Sequence, residues 1–136
     1  MKKLSVIFFV LVGFIFHAQA QGAVCPDPNT SALQWGIVLP PWHLDPFSEN
    51  APQGEPGTVF VRAYILVAGI GRGVVCTYRN SLGPYSIGWL VGVKIPPNTD
   101  MYWRNNLAGF DCTESIETCV FYTAEGASPT LLLKDD

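Results

Sequence analysis

Apolar and polar residues alternate along much of this chain with a period of two, the signature of strands buried on one face. The clearest run is Tyr85 to Lys94. Tyr85, Ile87, Trp89, Val91 and Val93 share one face, and Ser86, Gly88, Leu90, Gly92 and Lys94 share the other. The first face is a large apolar ridge. The second, thinned by two glycines, predicts a close neighbour or a flat exposed surface. Thr58 to Val67 is apolar on both sides apart from Thr58 and Arg62, which predicts a central strand. Gly69-Ile70-Gly71-Arg72-Gly73 then turns the chain into Val74–Arg79, placing Cys76 and Tyr78 on one face and Thr77 and Arg79 on the other. Asn80 to Pro84 makes the next turn, so residues 58–94 read as a three-stranded antiparallel meander. Shorter strands are expected at Leu33–Leu39, Met101–Arg104, Cys119–Thr123 and Thr130–Lys134. Roughly seven short strands with turn signals between them predict an all-β fold, a small antiparallel β-sandwich or open barrel.

Two segments depart from this pattern. Leu39 to Pro56 holds Pro40, Pro41, Pro46, Pro52 and Pro56 and no apolar alternation, which predicts a stiff extended excursion. Connections of this length are usually functional or mobile. The other is residues 1–20, which read as a cleaved signal peptide. Lys2 and Lys3 precede an apolar stretch from Leu4 to Phe16, and Ala18-Gln19-Ala20 supplies a small-x-small cleavage pattern. That stretch is too short for a membrane span, which needs about 20 apolar residues. The Lys-Lys start and Phe-rich core look bacterial, so the expected location is periplasmic or secreted. Cys25 follows closely, but Val24 before it is too bulky for a lipid-attachment site, so cleavage at Ala20 is favoured.

Export changes the reading of charge and size. Residues 21–136 form a single domain, in which six basic residues face eleven acidic ones, a net charge of −5. Such a chain has no electrostatic attraction for nucleic acid or an anionic membrane, and no second apolar stretch is long enough to span a bilayer.

All four cysteines, Cys25, Cys76, Cys112 and Cys119, lie after the signal and allow three pairings. Their gaps are too wide for zinc knuckles, and no C-x-x-C is present. In a small exported domain they read as structural disulfides. Cys112–Cys119 would close a short loop, and Cys25–Cys76 would tie the N-terminal segment to a predicted strand, so this pairing is favoured.

Candidate chemistry is sparse. His43 is the one histidine after the signal, two residues before Asp45, and the pair could form a base with its orienting carboxylate. A solvent-exposed loop histidine is the simpler reading. Asp111, Glu114 and Glu117 bracket or fill the Cys112–Cys119 loop and could serve carboxylate-based glycoside hydrolysis, although their polar neighbours favour ordinary solvated groups. The glycine turn is followed by strand-like residues instead of a helix, so it is a hairpin and not a phosphate loop. Arg72 at its tip could touch a partner. No metal or cofactor is expected. Aromatic residues beside polar ones form two candidate binding clusters: Trp42 with His43 and Asp45, and Tyr102, Trp103 and Arg104 with Asn105 and Asn106. The competing reading is that these rings cover the open end of a small sandwich.

The Cys25-Pro26 opening, Trp35, the Phe60–Val67 strand, Cys76-Thr77-Tyr78 and the late Cys112/Cys119 pair resemble a family of small exported bacterial proteins of unknown function. The resemblance implies a β-rich exported domain and carries over no functional residues. Together these features favour a disulfide-stabilised binding module for a protein or cell-envelope glycan. A carboxylate-based hydrolase and a periplasmic inhibitor using the proline segment are the alternatives.

Overall fold

A computed structural model describes residues 21–67 and 72–123. Residues 1–20, read from the sequence as a signal, most of the glycine turn and the strand expected at Thr130–Lys134 lie outside the described residues. Among the described residues eight strands follow one another: β1 (Gln21–Ala23), β2 (His43–Leu44), β3 (Val59–Leu66), β4 (Gly73–Asn80), β5 (Gly83–Trp89), β6 (Arg104–Asn106), β7 (Gly109–Cys112) and β8 (Phe121–Thr123). The expected meander is β3–β4–β5, and it is the centre of a six-stranded antiparallel sheet ordered β2-β5-β4-β3-β7-β6. β1 and β8 pair as a separate antiparallel ribbon. The chain is thus all-β and antiparallel, and the large sheet stays open because its outer strands β2 and β6 do not pair with each other.

Alternation decides which face is packed. Ala63 and Ile65 of β3, Val74, Cys76 and Tyr78 of β4, Tyr85 and Ile87 of β5, and Phe110 and Cys112 of β7 are buried. Cys25, Leu33, Trp103 and Phe121 join them in one core, so the N-terminal segment and the ribbon cover this face. Both favoured disulfides are present: Cys25–Cys76 staples the covering segment to β4, and Cys112–Cys119 closes the loop after β7.

Several elements differ from the sequence reading. Leu33–Leu39 is not a strand. Ala32–Trp35 forms a 3-10 turn, begun by Ser31, whose hydroxyl accepts from the Leu33 N–H, and ended by Gly36 at φ +73°. The strand expected at Tyr85–Lys94 leaves the large sheet after Trp89. The chain then crosses to the ribbon, where Val93 bridges Thr123 and the Lys94 N–H donates to the Tyr122 carbonyl at 2.8 Å. The strand placed at Met101–Arg104 lies later, at β6, because the Asp100 carboxylate caps the Tyr102 and Trp103 N–H groups in a turn. β7 was not expected. Its Gly109 has no room for a side chain, since a Cβ there would collide with the Ile65 carbonyl of β3.

Two stacked core tyrosines have different surroundings. The Tyr78 hydroxyl donates to the Pro26 carbonyl at 2.6 Å, whereas the buried Tyr85 hydroxyl has no hydrogen-bond partner among the described residues. Tyr78→Phe is therefore expected to cost about 1–2 kcal/mol, and Tyr85→Phe to be neutral or stabilising. Burial, with smaller contributions from Tyr85 and Asp27, raises the Tyr78 pKa far above its ordinary value, and burial pushes Tyr85 up to about 12. Above about pH 10 the unfolded chain loses these protons while the folded one keeps them, so stability falls as pH rises. The expected slope is about 1.4 kcal/mol per pH unit for each tyrosine, absent below that pH. Urea unfolding of the wild type and both variants from neutral to alkaline pH measures it; an unchanged slope in both variants would contradict it.

Candidate functional site

The opposite face of the large sheet carries Arg62, Tyr64 and Leu66 of β3, Val75 and Thr77 of β4, and Ser86 and Gly88 of β5. A bulge at Val61 separates this face from the core. Phe60 pairs with Tyr78 and its ring packs 6.1 Å from the Tyr78 ring, yet Arg62 pairs with Thr77. Arg62 is thereby aimed away from the core in spite of its position two residues after Phe60.

The proline-rich excursion builds one wall over this face. His43 lies opposite Gly88 in the β2–β5 ladder, and the Asp45 N–H donates to the Ser86 carbonyl at 3.1 Å. The Ser48 hydroxyl accepts from the Ser86 N–H at 2.8 Å, and the Asn50 amide donates to the Pro84 carbonyl at 2.8 Å. Residues 43–50 of the segment are thus pinned along β5. A cleft of about 540 Å³ results, within the usual size of small-ligand sites.

Strand register sets the polar groups in the cleft. Arg62, Thr77 and Ser86 form a row across three adjacent strands, continued by Asp45 just after β2, and the two central hydroxyls lie 2.9 Å apart in a hydrogen bond. The Arg62 guanidinium lies over the Tyr64 ring, 5.9 Å from its centre, and no carboxylate among the described residues pairs with it. At the other end, Asp45 accepts weakly from the Phe47 N–H at 3.3 Å, and Glu49 also lines the cleft. The His43 ring covers Gly88, the close neighbour foreshadowed by that glycine, with Cε1 at 3.5 Å from where a Cβ would stand. Its Nδ1 donates to the Leu44 carbonyl at 3.2 Å, because a carbonyl only accepts.

The residues singled out from sequence therefore separate. His43 and Asp45 enter the cleft. Trp42 beside them is half-buried, its ring edge-on to Trp89 and Phe121 at 5.6 and 6.2 Å. Arg72 is exposed just before β4 and does not line the cleft. Tyr102 and Arg104 are exposed at the far edge of the sheet, on and beside β6. Trp103 is only 5% exposed and donates its indole N–H to the Val120 carbonyl at 2.8 Å, so its ring is core and not platform. Glu114 and Glu117 are exposed in the Cys112–Cys119 loop, away from the cleft, and Asp111 is half-buried on β7. Among the described residues no group of three His, Cys, Asp or Glu side chains is gathered to hold a metal, and no helix is long and apolar enough to cross a membrane. Arg62, Tyr64, Thr77 and Ser86 escaped the sequence reading. The one available signal was a lone arginine in an otherwise apolar strand.

Fold and site together define a disulfide-braced all-β domain with one face of its main sheet open. The chain belongs to the DUF3757 family, described as proteins of unknown function, which it matches over residues 18–122. No curated protein and no solved structure matches it.

Proposed function

We propose that this protein is an exported binding module that holds a protein or cell-envelope glycan in the cleft, without catalysing a reaction. The observation that carries this reading is the row of polar side chains, ended by Arg62, which pairs with no carboxylate among the described residues, on a sheet floor beneath a pinned wall. Pre-organised groups of this kind bind without first having to be ordered. Export is supported by the signal pattern and by two disulfides, which persist in oxidising compartments. The N-terminus of the protein recovered from the periplasm or medium is expected at Gln21. Recovery with Met1 intact and thiols reduced would contradict export.

Filling the cleft tests the binding site. Immobilised Ser86→Trp protein, checked for an unchanged melting curve, is expected to retain at least about tenfold less envelope partner than wild type. Tyr102→Ala, at the far edge, should retain it fully. The reverse result would move the site to β6.

A second reading, a carboxylate-based hydrolase, draws on Asp45 and Glu49 lining one cleft. A general acid of this kind needs a carboxyl group shielded from water, and Glu49 is exposed while Asp45 is engaged as a turn cap. Binding is therefore favoured. Release of reducing sugar from purified envelope glycan, abolished by Glu49→Gln, would reverse the order.

A further inference from the structure

We infer that the ligand of the cleft is a short peptide with a free amino end and a free carboxylate, lying across the strands. This rests on the binding reading above and names its ligand class. The cleft is electrically polarised along the row. Its arginine, Arg62, stands at the β3 end, with Asp111 (opposite Tyr64) and Arg104 in register with each other further out on the same face, and its two carboxylates, Asp45 and Glu49, stand at the β2 end together with the His43 ring. Three strand spacings separate the backbones of Arg62 and Asp45, about 14 Å. An extended chain advances about 3.3–3.6 Å per residue, so a peptide of about three residues places its ends within reach of both side chains.

The middle of the cleft also fits a peptide. The Thr77 and Ser86 hydroxyls both donate and accept, which suits the N–H and C=O of a central peptide unit. Val75, Leu66 and Leu90 supply apolar surface for small side chains. A sugar is the poorer fit. Saccharides stack on bare aromatic faces, and one face of Tyr64 is covered by the Arg62 guanidinium. Phe47, 90% exposed, is a rim residue and not a floor.

Titration calorimetry of the oxidised full chain at neutral pH tests this with four probes: tri-L-alanine, its N-acetyl form, its C-terminal amide, and maltotriose. Tri-L-alanine is expected to bind, and each blocked form to bind about tenfold more weakly or worse, since charge-assisted hydrogen bonds are lost at one end. Maltotriose should not compete. Two variants assign the ends. Arg62→Gln should bind the acid and the amide equally while still preferring the free amine. Asp45→Asn, which keeps the oxygen that caps Phe47, should do the converse. Indifference to blocked ends, tighter binding of maltotriose, or no binding of the tripeptide would overturn the inference. If the tripeptide fails while Ser86→Trp still loses the envelope partner, the ligand class alone is wrong. If Ser86→Trp keeps that partner, the binding site itself is wrong.

Discussion

Replacing Cys25 and Cys76 together with alanine is expected to destabilise the protein by about 4 kcal/mol, measured as a lowered midpoint of urea unfolding. The two residues are 51 apart in sequence, so their bond removes a large closure entropy from the unfolded chain. Cys112–Cys119 spans only 7 residues, and its loss is expected to cost less, about 2.5 kcal/mol. Both sulfur pairs are buried, so packing losses add to each figure. Against a typical total of about 5–15 kcal/mol, the first change removes much of the margin and the second a smaller share. The physical reason for the difference is architectural. Cys25 anchors the segment that covers the packed face of the sheet, whereas the short loop mainly shapes the turn between β7 and β8. Equal effects from the two replacements would show that loop closure is not what these bonds contribute.

Phe121→Ala is expected to cost about 3–5 kcal/mol, the range for removing a buried aromatic ring. Phe121 is 1% exposed on β8, with the Trp42 and Trp89 rings edge-on to it at 6.2 and 6.1 Å. It is the point where the ribbon, the proline-rich excursion and β5 meet. The effect should extend to the site, because Trp42 directly precedes β2, which carries His43 into the cleft. Faster amide hydrogen exchange at Asp45, whose N–H bonds to Ser86, is the expected sign, with weaker ligand binding following from the loosened wall. Destabilisation below about 1 kcal/mol, or an unchanged exchange rate at Asp45, would mean that this aromatic cluster does not support the wall.

Period-two alternation made β4 and β5 legible, and β3 was legible as a run apolar on both sides, broken by Arg62 on its exposed face. The disulfide pairing followed from loop length and the predicted strands. The elements that escaped were those set by partners and caps. β2 is only two residues long and exists because β5 offers an edge. β7 is one short Gly-Phe-Asp-Cys run held against β3. Ala32–Trp35 turns because Ser31 and Gly36 cap it, while its apolar residues look like part of a strand. For the site, local sequence was enough to single out His43 and Asp45. It could not place them beside Arg62, Thr77 and Ser86, because that row depends on the register of four strands and on the bulge at Val61. For Trp103 the sequence left two readings, a binding platform or a ring covering the sandwich, and its indole N–H reaches the Val120 carbonyl in the core.

Amide chemical-shift mapping of the oxidised, isotope-labelled protein during a tri-L-alanine titration tests most directly whether the open sheet face is where this protein meets its ligand. Saturable shifts concentrated at Asp45, Arg62, Thr77 and Ser86, with residues 102–106 unmoved, are the expected result. Saturable shifts concentrated at residues 102–106, with Asp45, Arg62, Thr77 and Ser86 unmoved, would contradict it.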